Sequence, residues 1–161
     1  MFTPEYLGKK IEAREIKLAA VGALFVPTMV LVLTAIAVVT SRGLASIYNH
    51  DLPAHGFSEA LYAYDSQSNN NGSAFAGYGA TEFSTLMGSI ALWLGRFAPL
   101  VAALALGGAL AAKKTVPPSA GTFRTDGATF AVLLVGVVIL TAGLMLFPAL
   151  TLGPIVEALS P

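Results

Sequence analysis

Three stretches of the chain are apolar for longer than a soluble helix requires, and polar residues gather between them. Residues 18–40 carry no charged side chain and one proline, Pro27. Residues 83–112 are apolar except around Gly95, Arg96 and Pro99, where a break is expected. Residues 128–150 are again uncharged, with Pro148 near the end. About 20 apolar residues in a helix cross roughly 30 Å of hydrocarbon, so each stretch predicts a transmembrane helix. Prolines inside such helices are tolerated because neighbouring groups satisfy the freed carbonyls. The first stretch is too long, and starts behind too mixed a set of charges, to be a signal peptide. Ahead of it, the run from Glu5 to Lys17 predicts a charged helix on the membrane surface, either a solvated flank or a docking segment.

Composition agrees with that pattern. Of 161 residues, 55% are apolar and 11% charged, against roughly 25% charged in soluble domains, and the mean hydropathy is +0.73. Nine basic and nine acidic residues cancel. That balance excludes a nucleic-acid binder, which needs a basic excess, and a disordered chain. The absence of cysteine excludes disulfides, thiolate metal sites and a cysteine nucleophile. Lysine and arginine placement sets orientation. Lys9, Lys10, Arg14 and Lys17 precede the first span, and Lys113, Lys114 and Arg124 lie in the 113–127 loop, whereas the 41–81 segment has only Arg42. The amino terminus and the 113–127 loop are therefore expected in the cytoplasm, and a 151–161 tail outside.

The 41–81 segment is the informative one. At roughly 40 residues it is long for a plain connection. Residues 56–67 predict a short helix, with Gly56 or Ser58 as cap and Glu59 in its first turn. After it comes Ser68-Asn69-Asn70-Asn71-Gly72-Ser73-Ala74-Phe75-Ala76-Gly77-Tyr78-Gly79, a run no regular element tolerates. Span, short helix, glycine-bearing loop, span is the order of the membrane–pore–membrane unit of potassium channels. Irregular backbone at membrane depth is tolerated where it lines a water-filled path, and there its carbonyls can replace the hydration shell of a cation. Within the 69–79 loop two glycine elements compete. Gly77-Tyr78-Gly79 resembles the potassium-channel signature but lacks the preceding threonine-valine pair. Counting from the helix end places the filter at Asn70, Asn71, Gly72 and Ser73, with potassium on the backbone oxygens of Asn70, Asn71 and Gly72. Gly77-Tyr78-Gly79 is then the climb back to the surface.

The run from Asn69 to Gly77 resembles the fourth filter of the potassium-translocating A subunit of the Kdp ATPase (KdpA). Thr3-Pro4-Glu5-Tyr6-Leu7-Gly8-Lys9-Lys10, His55-Gly56-Phe57-Ser58-Glu59, Leu94-Gly95-Arg96-Phe97, Ala111-Ala112-Lys113-Lys114 and Phe147-Pro148-Ala149-Leu150 are similar to that family in the same order. The resemblance covers only the carboxy-terminal part of such subunits, their fourth repeat and last helix. It implies an all-α integral membrane protein of the bacterial plasma (inner) membrane: a potassium-channel-like membrane–pore–membrane repeat (18–112) with an additional C-terminal transmembrane helix. It further implies potassium as the ion carried, and as partners membrane lipid, three other pore repeats, an ATP-hydrolysing B subunit and small membrane subunits. No phosphorylated-aspartate motif or nucleotide site is visible in this sequence. One pore unit supplies about a quarter of a filter ring, so a homotetrameric potassium channel is the alternative within transport, and a non-transporting membrane scaffold the alternative outside it.

Arg96 is the one charge well inside a span, where insertion costs ~2.5–3.5 kcal/mol. It is expected to face the protein interior or water, as a structural pair or, as the resemblance implies, beside the ion path below the filter. Gly95 and Pro99 around it suggest a hinge or simple packing. Thr81-Glu82 reads as a helix cap with a first-turn acid, or as an outer cation attractor. Asp65, at the short helix's end, reads as a solvated loop residue. His50, Asp51 and His55 lack metal-ligand spacing, and Asn71-Gly72-Ser73, formally a glycosylation sequon, lies in the loop expected to be buried. Neither a phosphate loop nor a nucleophile elbow is present.

Overall fold

The computed structural model describes residues 5–51, 53–73, 76–117 and 127–159. Arg124, Ala74, Phe75, Thr3 and Pro4, which carried parts of the sequence argument, lie outside them. In order the elements are β1 (Glu5–Tyr6), β2 (Lys9–Lys10), α1 (Ala13–Val39), α2 (Ser41–Leu44), α3 (Pro53–Ser68), α4 (Glu82–Ala111) and α5 (Ala128–Leu159). They form two units, one of residues 11–113 and one of residues 1–10 with 114–161.

In the first unit α1 packs along α4, and α3 touches both. α1 and α4 are each long and apolar enough to cross a membrane. The contact is built from small side chains: Ala37, Ala60 and Ala91 are fully buried beside Val30, Leu33, Ile47 and Tyr64. Small residues let helix backbones approach closely where lipid supplies no hydrophobic drive. Outside this seam the helices stay apolar, with Val21, Leu24, Leu31, Leu100 and Leu104 largely exposed.

α1 and α4 both start on side-chain caps. Thr81 accepts the Ser84 N–H at 3.2 Å while the Ser84 hydroxyl accepts the Thr81 N–H at 2.7 Å, a reciprocal capping box with Glu82 in the first turn as expected. At the start of α1 the Glu15 carboxylate accepts the Glu12 N–H at 2.8 Å. Lys113, just past α4, reaches Glu15 at 2.6 Å and Glu12 at 3.1 Å. The Glu15 hydrogen bond pushes the Lys113 pKa up. The tie is therefore fully formed at neutral pH; it is lost as pH climbs through that raised value, and also in acid once the Glu15 carboxylate takes a proton.

The structure departs from expectation at three places. α4 runs unbroken through Gly95 and Pro99, so the helix does not end there. Gly95 instead serves close approach, because a Cβ on it would overlap the Ser68 carbonyl at the end of α3. The surface helix expected over residues 5–17 begins only at Ala13. Residues 5–10 form an antiparallel hairpin pairing Glu5 with Lys10 and Tyr6 with Lys9. Its turn residues Leu7 and Gly8 have φ of 50° and 71°, as a two-residue hairpin turn with the right twist requires. In that same second unit the Gly8 carbonyl accepts the Val116 N–H at 2.7 Å, and α5 continues to Leu159 rather than stopping at 150.

Overfilling the seam tests its tightness. Ala60→Leu forces at least three extra heavy atoms into a fully buried position, a cost of about 1–3 kcal/mol. Thermal unfolding of the detergent-solubilised protein is expected to show a lower midpoint; an unchanged midpoint would contradict the packing described.

Candidate functional site

The site forms where α3 ends against the middle of α4. Two glycines open the space: Gly88 lies under the Gln67 side chain and Gly95 under the Ser68 carbonyl. The last turn of α3 thus presses directly on the α4 backbone, aiming its partially negative carboxyl end at the loop that follows.

That loop is held by its donors. The Asn69 N–H donates to the Asp65 carbonyl at 3.0 Å, Asn70 N–H to Gln67 at 3.1 Å, and Asn71 N–H to Ser66 at 3.0 Å. The Ser73 N–H donates to the Ser66 hydroxyl at 3.2 Å. Asn70 has φ 57° and Gly72 φ 72°, and these two left-handed residues turn the chain back on itself. Asparagine visits that region at modest cost and glycine at none. Among the described residues nothing lies within 4 Å of where a Cβ on Gly72 would sit, and its left-handed backbone conformation itself calls for glycine. The carbonyl side is the reverse of the donor side. Among the described residues, no hydrogen bond ends on the carbonyl oxygens of Asn69, Asn70, Asn71, Gly72 or Ser73. Asn71, Gly72 and Ser73 are exposed.

Arg96 lies at this loop. Its Nε is 3.4 Å from the Asn70 Oδ1, and the Asn70 Nδ2 in turn donates to the Ser68 carbonyl at 3.2 Å and to Leu92 on α4 at 3.4 Å. The Asn70 amide thereby joins the end of α3, the α4 backbone and the guanidinium. One side chain bridges all three.

Gly77-Tyr78-Gly79 sits differently. Tyr78 pairs in an antiparallel bridge with Ile47. The Gly77 carbonyl accepts the Tyr48 N–H at 3.1 Å, and the Gly79 carbonyl accepts the Ser84 hydroxyl at 2.8 Å. The Tyr78 hydroxyl donates to that of Tyr64 at 2.8 Å, with the rings 5.9 Å apart edge to face. Both glycine carbonyls are thus engaged in holding the loop's return.

Some contributors escaped the sequence reading. Ser66, whose hydroxyl and carbonyl clamp both ends of the turn, looked like one more polar residue in a polar run. Asp65 accepts the Asn69 Nδ2 on its Oδ1 at 3.0 Å and so fastens the helix end. Glu59 receives the Asn49 N–H at 3.2 Å and the Asn49 amide, and its side chain packs against Gly77, so it braces the loop; α3 starts at Pro53 rather than at 56, which takes Glu59 out of the first turn where it was expected. The Asn-Asn-Asn-Gly-Ser run was the available signal for the turn; its clamps are contacts three to seven residues back, onto a helix. His50 contacts the Ile47 carbonyl at 3.0 Å and Asp51 at 3.2 Å. Among the described residues no three metal-ligating side chains converge.

A family model described as potassium-transporting ATPase A subunit matches residues 2–159. Proteins named potassium-transporting ATPase potassium-binding subunit are similar along nearly all of this chain. The one from Methylobacterium nodulans is 57% identical over 159 residues, and that from Rhizobium rhizogenes 56% over 160. Each alignment covers 98% of this chain and 28% of the relative, so the chain spans little more than a quarter of the length of these proteins.

Ser66→Ala removes the acceptor for the Ser73 N–H. A hydrogen bond of about 1 kcal/mol net corresponds to roughly five-fold in an opening equilibrium. Amide exchange at Ser73 is expected to quicken by about that factor while α4 amides hold; unchanged exchange at Ser73 would show the clamp to be idle.

Proposed function

The chain belongs to the family of potassium-transporting ATPase A subunits, KdpA, and on that premise we propose that it binds potassium through the backbone carbonyls of Asn70, Asn71, Gly72 and Ser73. In this reading α1, α3, the 69–79 loop and α4 are one membrane–pore–membrane repeat, and α5 is a further spanning helix. The amino terminus faces the cytoplasm of a bacterial inner membrane. The repeat contributes one of four strands of a filter, the other three coming from the remaining length of the subunit. An ATP-hydrolysing B subunit and small membrane subunits complete the pump and supply the energy for translocation.

The carrying observation is the division of labour in the loop. The N–H groups of Asn69, Asn70, Asn71 and Ser73 point back into α3 and are taken, and among the described residues no hydrogen bond ends on the carbonyls of 69–73. A potassium ion entering a filter must exchange water oxygens for protein oxygens of similar strength. Unclaimed carbonyls held by a braced backbone supply that exchange without a rearrangement at each passage. The α3 carboxyl end adds roughly half a negative charge near the ion. Gly77 and Gly79 carry structural bonds on their carbonyls, which favours the earlier glycine as the filter element. Arg96, held by Asn70, sets a fixed positive charge next to the coordinating strand and lies along the ion path, where it would limit how many cations occupy it.

Gly72→Ala tests the assignment in the assembled transporter. A non-glycine residue at this φ costs roughly 1–2 kcal/mol, or about 5–30-fold in an equilibrium. The half-saturating potassium concentration for transport is expected to rise within that range, with Gly72→Asn affected less. Wild-type potassium dependence in Gly72→Ala would refute the filter position. Arg96→Gln is expected to impair transport with the complex still assembled; lost assembly, with normal transport by the complexes that survive, would make Arg96 a structural pair.

A further inference from the structure

A groove of about 750 Å³ opens where the ends of α1 and α4 meet on the side of the 41–81 segment. Its floor is apolar, made by Ala45, Phe83, Leu86 and Met87, and Leu86 is 58% exposed. The two threonines on its rim have their hydroxyls engaged. Thr40 donates to the Ile36 carbonyl at 2.8 Å and accepts the Gly43 N–H at 3.2 Å. Thr81 caps α4 and shares a 2.6 Å hydrogen bond with Ser46. That leaves Arg42 and Glu82, both exposed and both lining the groove. Among the described residues neither has an ion-pair partner.

An available arginine and an available glutamate above one apolar trough ask for a ligand with an anion, a cation and an apolar tail. Free phosphate would use Arg42 alone, leaving the floor uncovered. A purely anionic lipid headgroup would meet the Glu82 carboxylate as a like charge. A phospholipid with a primary-amine headgroup answers all three features. Its phosphate suits the planar guanidinium fork, its ammonium suits the carboxylate, and its acyl chain has Phe83, Leu86 and Met87 to lie against. Position agrees as well, since the groove sits at the end of two apolar spans, where headgroups meet water. Arg42 is also the only lysine or arginine in the 41–81 segment, on the side of the membrane that the positive-inside bias leaves poor in them.

We infer that this groove is a binding site for an amine-headed phospholipid, with Arg42 on the phosphate and Glu82 on the ammonium. The inference rests on α1 and α4 spanning a membrane, and is independent of where the filter lies. The test places a photoreactive phenylalanine analogue at position 86 of the full-length subunit in the assembled complex. The complex is reconstituted in nanodiscs of phosphatidylethanolamine or of phosphatidylglycerol alone. Illumination is expected to give a lipid adduct in phosphatidylethanolamine, reduced at least three-fold in phosphatidylglycerol and in Arg42→Gln or Glu82→Gln. An adduct with polypeptide in place of lipid would assign the groove to another part of the transporter and overturn the inference. So would equal lipid adducts across both membranes and all variants. Potassium dependence recorded on the same samples reports separately on the filter.

Discussion

The structure turns on the asymmetry of the backbone just past α3. In the turn after Ser68 the N–H groups of Asn69, Asn70, Asn71 and Ser73 donate into the preceding helix, while among the described residues no hydrogen bond ends on the carbonyls of 69–73. This arrangement requires a helix that stops abruptly, side chains that bend back to catch N–H groups, and left-handed residues at Asn70 and Gly72 to reverse the chain. It also requires a rigid support behind the turn. That support is α4, brought into contact by glycine at 88 and 95.

Much of the remaining structure follows from holding that turn in place. Alanines at 37, 60 and 91 bring three helices close enough that α3 cannot tilt freely. The Tyr64–Tyr78 pair and the bridge between Ile47 and Tyr78 tie the loop's return to the segment after α1, and Glu59 braces Asn49 against Gly77. At the far end of the spans, the Lys113 ammonium fastens the start of α1 to the end of α4. The Tyr64–Tyr78 hydroxyl pair satisfies its polar groups inside the protein, as lipid surroundings demand. The outer faces of α1 and α4 carry exposed apolar side chains such as Val21, Leu24, Leu100 and Leu104, which suits them to lipid.

The parts legible in the sequence were those with a long or strong local signal. Long apolar runs marked α1, α4 and α5 to within a few residues at most of their ends, and Thr81-Glu82 marked the start of α4. The Asn-Asn-Asn-Gly-Ser run marked the turn, since few other compositions accept left-handed backbone twice in three residues. What stayed hidden depends on contacts distant in sequence. Gly95 beside Pro99 reads as a hinge until the Ser68 carbonyl is seen against it; the glycine makes room for α3, and the helix passes through. The hairpin at 5–10 was missed because its charged residues suit a surface helix and its turn places a leucine, at position 7, where asparagine is the usual cue. Arg96 could be foreseen near the loop, but its partner Asn70 could not, because 26 residues and an entire helix start lie between them.

The central claim is that carbonyl oxygens at 70–73 coordinate the transported ion. It is tested most directly by locating thallium, a heavy stand-in for potassium, through its anomalous scattering in crystals of the assembled transporter. The account predicts a peak in direct contact with the backbone oxygens of Asn70, Asn71 and Gly72, competed away by potassium. A peak centred on Gly77-Tyr78-Gly79, or none beside either run while thallium is transported, would contradict it.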